Sequence, residues 1–440
     1  MTVKKASVKT VAPRTLKVDY LTRVEGEGGL YVRVEDGAVR DVKLNIFEPP
    51  RFFEAFLRGR HLQEVPDIAA RICGICPVAY QMSAVHALEA ALGVKPGPEI
   101  RALRRLLYCA EWMESHALHI YLLHAPDFLG YESGVALAAE HPKEVERGLR
   151  LKKAGNRLLE LLGGRATHPV SVCVGGFYKT PRKRDLLALR SELEWALGAA
   201  EETAQWVAGF QFPKFEAEYE FVCLSHPDEY PMNEGRIVSS DGVDVAVTDF
   251  EKLFKETQVK HSTALHSVRA DRKTSYHVGP LARINLNFEK LTPRAKAAAK
   301  ASGIGWPSRN PFTSIVARAV ELVHACEEAL ALMDAYQEPE RSRVECSLRA
   351  GEGAAATEAP RGTLYHRYRI NDQGLVEYAK IVPPTSQNLH RMEDDLRLFL
   401  PGVLERPEAE ITAMCEQLIR NYDPCISCST HFLKLKVDRG

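Results

Sequence analysis

Apolar and polar residues alternate between positions 17 and 47, interrupted by Gly26-Glu27-Gly28-Gly29 and by Glu35-Asp36-Gly37. A period of two broken by turn residues predicts a small antiparallel meander. After Pro96 and Pro98 the period changes. Leu103, Leu106, Leu107, Ala110, Met113 and Leu118 make a wide apolar stripe, which predicts a helix from about Ile100 to His124. Further helices are predicted over 143–162, 182–209, 312–336 and 386–400. Residues 211–285 are mixed, with turns at Ser239-Ser240-Asp241-Gly242 and His277-Val278-Gly279-Pro280. Asn371-Asp372-Gln373-Gly374 separates two strand-like runs, so a hairpin is predicted over 363–382. There is no internal repeat, and the one compositionally biased stretch is the Gly/Ala-rich 350–356. The pattern predicts an α+β, predominantly helical fold. Long central helices form its core, with small antiparallel β elements on the N-terminal side and near 363–382.

Composition narrows the function. The chain has 440 residues, 45% of them hydrophobic and 26% charged, enough for one large unit with a deep core. Lys+Arg and Asp+Glu both number 58, so no global charge argues for nucleic acid. No apolar run reaches about 18 residues, the length of a membrane span. Lys4, Lys5, Lys9 and Arg14 are followed by no apolar segment, so residues 1–16 read as a flexible basic arm and not as a signal peptide. Ten cysteines in a chain of this length do not form a disulfide framework, and reduced thiols in a cytoplasmic setting are expected.

Two Cys-x-x-Cys pairs sit near opposite ends of the chain: Arg71-Ile72-Cys73-Gly74-Ile75-Cys76-Pro77 and Asp423-Pro424-Cys425-Ile426-Ser427-Cys428-Ser429-Thr430-His431. Four thiolates at this spacing make one metal site if the fold joins the ends. Spacing alone leaves three readings open: structural zinc, a catalytic soft-metal site, or dithiol chemistry. The separation of the pairs is long for a zinc clip and points to a site inside a folded core. Cys109, Cys173, Cys223, Cys326, Cys346 and Cys415 show no such grouping, so no iron–sulfur cluster is legible. Any electron relay must then come from another subunit.

In their context the two pairs resemble the metal-binding signatures of nickel–iron hydrogenase large subunits. The likeness extends through Thr22-Arg23-Val24-Glu25-Gly26 and through Gly353–Gly362, and so spans roughly residues 17–431 as a single unit. The resemblance implies a helical-bundle fold and reversible heterolytic cleavage of dihydrogen to two protons and two electrons. It implies that Cys73 and Cys425 are terminal nickel ligands. Cys76 and Cys428 would bridge nickel to an iron carrying carbon monoxide and cyanide. Glu25 matches the proton-transfer glutamate beside the second terminal cysteine; taken alone it would be an ordinary solvated residue. Part of the family has His after the glycine, where this chain has Glu27, which leaves the next proton step open. Arg361, following Pro360, would offer fixed donors to a metal ligand. Asp423 and Asp127 match two acids expected to pair with that arginine, and Thr385 matches the hydroxyl that caps a cyanide. Gln387 stands where many relatives have Trp.

The resemblance implies a second metal, magnesium or iron, on Glu54, His431 and the carbonyl of Ile381. His116 and His119, one helical turn apart, are expected to be structural or to relay protons. The tail Phe432–Gly440 looks like a segment that a dedicated endopeptidase removes after His431, with a maturation chaperone acting earlier. Ile46–Glu54 and Arg71–Tyr80 look most like the cytoplasmic NAD(P)-linked enzymes, sometimes called sulfhydrogenases. Partners implied are an iron–sulfur small subunit and flavin-bearing, NAD(P)-binding diaphorase subunits, since no G-x-G-x-x-G fingerprint occurs here. The alternatives are coupling to a deazaflavin, a heterodisulfide reductase or a membrane complex. A non-catalytic relative like the quinone-site subunit of respiratory complex I would share the fold but lack the four cysteines.

Overall fold

The computed structural model describes residues 14–430. Residues 1–13, His431 and the tail 432–440 therefore lie outside the described residues. The alternation near the N-terminus becomes a three-stranded antiparallel sheet in sequential order: β1 (Arg14–Val18), β2 (Gly28–Glu35) and β3 (Ala38–Ile46). β1 starts inside the segment expected as an arm, because Leu16 is buried in the core on that side.

Next come a short helix α1 (Phe53–Leu57), then α2 (Pro77–Leu92) and α3 (Pro98–Leu118). Nearly every residue of α2 is buried. It is buried on every side, its polar Gln81, Ser83 and Glu89 included, and has no stripe, which is why periodicity does not reveal it. α3 ends earlier than its stripe predicts, and His119–His124 continue as a π-helical turn. Such turns are uncommon and recur at functional sites.

α4 (Pro142–Gly163), α5 (Arg190–Ala208) and α6 (Ser314–Ala335) complete the central bundle. α3 packs on α4 and α6, and α6 on α5. The helix expected over 182–209 is broken before Arg190 and preceded by a short turn of helix at Lys183–Leu187. Between α5 and α6, within the mixed region, β4 (Phe254–Gln258) and β5 (Leu265–Arg269) form an antiparallel hairpin.

The predicted hairpin over 363–382 is present and has a third strand. β6 (Gly351–Ala359), β7 (Gly362–Ile370) and β8 (Val376–Val382) form an antiparallel sheet. β6 is the Gly/Ala-rich stretch. Its glycines let the strand lie directly on α2: a Cβ on Gly353 would meet the Ala87 carbonyl oxygen at 2.2 Å, and one on Gly351 that of Ala91 at 2.4 Å. α7 (Pro384–Phe399) and α8 (Glu408–Arg420) then lead to the C-terminal loop. α8 was not anticipated, although Ile411, Cys415, Leu418 and Ile419 form a buried stripe.

Candidate metal centre

The two Cys-x-x-Cys loops meet. Cys73 and Cys76 lie in the turn that enters α2, with Pro77 at its first position. The Cys73 sulfur accepts the backbone N–H of Cys76 at 3.0 Å and of Ile75 at 3.4 Å. Cys425 and Cys428 lie in a tight loop ending in a short helical turn, Ser427–Thr430. The Cys73 and Cys425 sulfurs are 3.7 Å apart, and within each pair the sulfurs are 2.7 Å apart. All four are buried and none is in a disulfide.

Arg51 ties the loops together. Its Nη2 donates to the Ile72 carbonyl at 2.7 Å and to that of Ser427, and its backbone N–H donates to the Thr430 carbonyl at 2.6 Å. Sequence reasoning missed this residue, though it stands inside the Ile46–Glu54 run. Also unforeseen is Glu111 of α3, which accepts the free N–H groups of Val78 at 2.6 Å and Ala79 at 3.1 Å and so caps α2.

Glu25 arrives from the N-terminal side. It forms a parallel bridge with Cys425, whose flank Ile426 donates its N–H to the Glu25 carbonyl at 2.8 Å. The Cys425 thiol donates to Glu25 Oε2 at 2.9 Å, and the same oxygen accepts the Ser427 N–H at 3.1 Å. Glu48 Oε2 accepts the Ser427 hydroxyl at 2.8 Å and the Glu27 N–H at 3.3 Å. Thr385, in the first turn of α7, accepts the Cys425 N–H at 3.0 Å.

Pro360 and Arg361 are the two-residue turn between β6 and β7. Gly362 follows at φ +132°, a conformation that side chains resist, and a Cβ there would meet the Gly279 nitrogen at 2.9 Å. The Pro360 carbonyl accepts Arg283 Nη2 at 3.0 Å. Arg361 Nε donates to the Asp423 carbonyl at 2.7 Å and its Nη2 to Asp423 Oδ1 at 3.1 Å. Asp423 itself takes the left-handed conformation, φ 51°. Arg361 Nη1 and Asp423 Oδ2 are buried without partners.

Asp127 does not make the expected pair with Arg361. It is engaged instead by Arg23 and Arg420: Arg23 Nη2 and Arg420 Nη2 share Oδ1, and Arg420 Nε donates to Oδ2 at 2.8 Å. The cause is the π-helical turn and short helix Ala125–Leu129, which aim the carboxylate at the end of α8.

His116 donates toward Glu321 at 3.0 Å, and His119 Nε2 bonds the Arg420 carbonyl at 2.9 Å, 3.9 Å being its distance to Asp423. Among the described residues neither belongs to a cluster of side chains placed to hold a metal ion. Glu54 Oε1 on α1 accepts the Ile381 N–H at 2.8 Å and lies 3.6 Å from Lys380 Nζ. Two of the three residues expected at the second metal are thus adjacent, while His431 lies outside the described residues.

Electrostatics follow from burial and from the neighbouring charges. Burial and the adjacent sulfurs push the Cys76 and Cys425 thiols up, and burial raises Cys428. Burial opposes ionisation of Cys73 as well, but hydrogen bonds from the other three cysteines and the Arg361 charge overcome it and hold this thiol well below its ordinary value. Arg361 is buried, yet Asp423 and the cysteine sulfurs keep it firmly protonated. Four converging sulfurs with no disulfide, beside an unpartnered guanidinium N–H, fit a soft-metal group carrying small anionic ligands. A lone structural zinc would explain the sulfurs but neither Glu25 on Cys425 nor the open Arg361 donor.

The nickel-dependent hydrogenase family pattern matches residues 51–147 and 243–431. The alpha subunit of sulfhydrogenase 1 from Pyrococcus furiosus is 37% identical over 96% of this chain and 98% of its own length. The beta subunit of the NAD-reducing hydrogenase HoxS from Cupriavidus necator is 29% identical over 96% of this chain and 95% of its own. A solved NAD+-reducing [NiFe]-hydrogenase, in its H2-reduced state, superposes with a TM-score of 0.83 at 28% identity, covering 96% of this chain and 100% of that one. With the thiolate geometry and these matches together, the chain belongs to the nickel-dependent hydrogenase family.

Proposed function

We infer that Cys73, Cys76, Cys425 and Cys428 hold the nickel and iron with which this hydrogenase interconverts dihydrogen with two protons and two electrons. The bound pair, with its carbon monoxide and cyanide ligands, supplies dihydrogen binding and electron chemistry. The observation that carries the residue assignment is the Cys425 thiol donating to Glu25 at 2.9 Å, at the heart of the four-sulfur cluster.

A proton on the Cys425 sulfur lies within one hydrogen bond of the Glu25 carboxylate, the distance general acid–base transfer requires. The bridge to Cys425 and the Ser427 N–H fix that carboxylate before any reaction begins. The Ser427 hydroxyl donates to Glu48, which places a second carboxylate beyond the first. Arg361 aims one unpartnered N–H, and Asp423 aligns it through two contacts on the other side of the guanidinium. Pro360 shapes the turn that presents it, and Thr385 holds the Cys425 backbone. Glu54 and the Ile381 carbonyl, with His431, would take a hard cation such as magnesium, which prefers oxygen ligands.

The electrons leave through a partner. The chain carries no further cysteine grouping for an iron–sulfur cluster, so an iron–sulfur small subunit and flavin-bearing diaphorase subunits linked to NAD(P) complete the enzyme. The similarity to sulfhydrogenase and NAD-reducing hydrogenase subunits supports this coupling. Among the described residues no helix is long and apolar enough to cross a membrane, in keeping with a cytoplasmic complex.

The test is Glu25→Gln in the anaerobically purified complex. Turnover is expected to fall about 10²- to 10⁴-fold with nickel content unchanged. Wild-type turnover in the variant would refute the proton-transfer assignment. Dihydrogen-dependent reduction of NAD(P)+ tests the coupling separately: dye reduction without nucleotide reduction would overturn it and leave the site intact.

A further inference from the structure

A second cluster of ligating side chains stands apart from the thiolates. His261 lies in the loop between β4 and β5, His266 on β5 and Glu393 on α7. One ligand atom from each lies within 4.8 Å of the other two. His261 Nε2 is 2.7 Å from Glu393 Oε1. His266 is 2% exposed and its Nε2 is buried without a partner. A buried ring nitrogen left unpaired costs on the order of 1–3 kcal/mol unless something satisfies it.

We propose that His261, His266 and Glu393 bind a divalent transition cation of the zinc class, which clips the β4–β5 hairpin to α7. Two imidazoles and one carboxylate suit a borderline cation and are the wrong set for magnesium or calcium, which take oxygen. The cation replaces the proton between His261 and Glu393 and satisfies the orphaned nitrogen of His266. In a tetrahedral site with ligand bonds of about 2.1 Å the donor atoms stand about 3.4 Å apart, so the His261–Glu393 pair opens from 2.7 Å while the atoms now up to 4.8 Å apart close in, shifts that side-chain rotation supplies.

The surroundings pre-form the site. Thr263 fastens the loop to the end of β3, its N–H donating to the Ile46 carbonyl at 2.8 Å and its hydroxyl to the Glu48 carbonyl at 2.8 Å. Glu393 Oε1 also accepts the Leu44 N–H at 2.9 Å, and Arg397 Nη2 stands 3.3 Å from Oε2, which holds the carboxylate with Oε1 toward His261. His261 is partly exposed and gives the cation a way in. Glu393 lies eight residues along α7 from Thr385, about 12 Å at the helical rise. This site is therefore separate from the thiolate cluster.

The test uses the processed, anaerobically purified complex, treated with a chelator and titrated with Zn2+ alone. Wild type is expected to take up one more zinc per chain than His261→Gln, or to bind it at least about tenfold more tightly. Zinc-edge X-ray absorption is expected to show nitrogen and oxygen at about 2.0–2.1 Å. Equal uptake and affinity in wild type and His261→Gln, or a purely sulfur first shell, would overturn the proposal. Buried His266→Asn can fail to fold, so the partly exposed His261 carries the decision, with Glu393→Gln as its second arm. The infrared bands of the thiolate centre are expected to be the same in every folded variant, which keeps this test independent of the proposed catalytic site.

Discussion

Two arginine–aspartate clusters flank the C-terminal loop, and they differ in how completely they are satisfied. At Asp127 both carboxylate oxygens are engaged, and every nitrogen of Arg420 donates: two to Asp127 and Nη1 to the Thr22 carbonyl at 2.8 Å. At Asp423 one carboxylate oxygen and one Arg361 N–H are buried and left open, next to the sulfurs. The closed pair is Asp127 with Arg420, which holds the π-helical turn to the end of α8; Arg23 joins it through Nη2, its Nε being buried without a partner. An open pair costs stability and persists where a ligand completes it. The contrast supports the proposal that Arg361 serves the metals' ligands and that Asp127 belongs to the scaffold.

Arg361→Lys should show the largest effect. Lysine keeps the charge but has one nitrogen in place of the planar fork, in which Nε and Nη2 hold Asp423 while Nη1 points elsewhere. Activity is expected to fall about 10²- to 10³-fold with nickel content and thermal stability near wild type. Full activity in this variant would erase the distinction between the clusters.

Asp127→Ala should act the other way. It leaves Arg420 and Arg23 without their anion, which costs about 3–5 kcal/mol for a buried pair. The expected readout is a lower unfolding midpoint with near-normal specific activity in the folded fraction. Lost activity at unchanged stability would return Asp127 to the metal site, where the family resemblance first placed it.

A smaller effect belongs to His116, whose partner Glu321 is closed by Arg283 at 2.6 and 2.7 Å. Burial drives the His116 pKa down to about 4 despite the Glu321 carboxylate, and burial of Glu321 is overcome by Arg283, bringing it to about 2. Folded His116 is therefore neutral where an unfolded histidine, near 6.5, already takes a proton. Stability is complete above that value and is lost as pH falls from about 6.5 to 4, by about 3 kcal/mol. Unfolding midpoints measured between pH 7.5 and 5 should fall, and His116→Asn should flatten the slope. A slope unchanged in the variant would contradict a neutral His116.

Much of this was legible in the chain. The four cysteines, Glu25, Thr385 and the Arg361–Asp423 pair could be read because each sits in a motif with fixed neighbours. α3 could be read from its apolar stripe, which faces the core. What escaped has physical causes. α2 is buried on every side and leaves no period to detect. β6 looks like low-complexity sequence because its glycines make room for the α2 backbone, a contact between segments far apart in the chain. Asp127 was identified as an important acid, but its partner is set by a π-helical turn and by the direction of α8, neither of which local sequence encodes. Arg51 and Glu111 act on backbone atoms of distant loops and leave no spacing signature.

The most direct test of the central claim is an infrared spectrum of the complex purified without oxygen, paired with metal analysis of the same sample. The account predicts bands from metal-bound carbon monoxide and cyanide, with nickel and iron present, and their loss in Cys425→Ser. A folded, processed complex with zinc on these sulfurs and no such bands would contradict it.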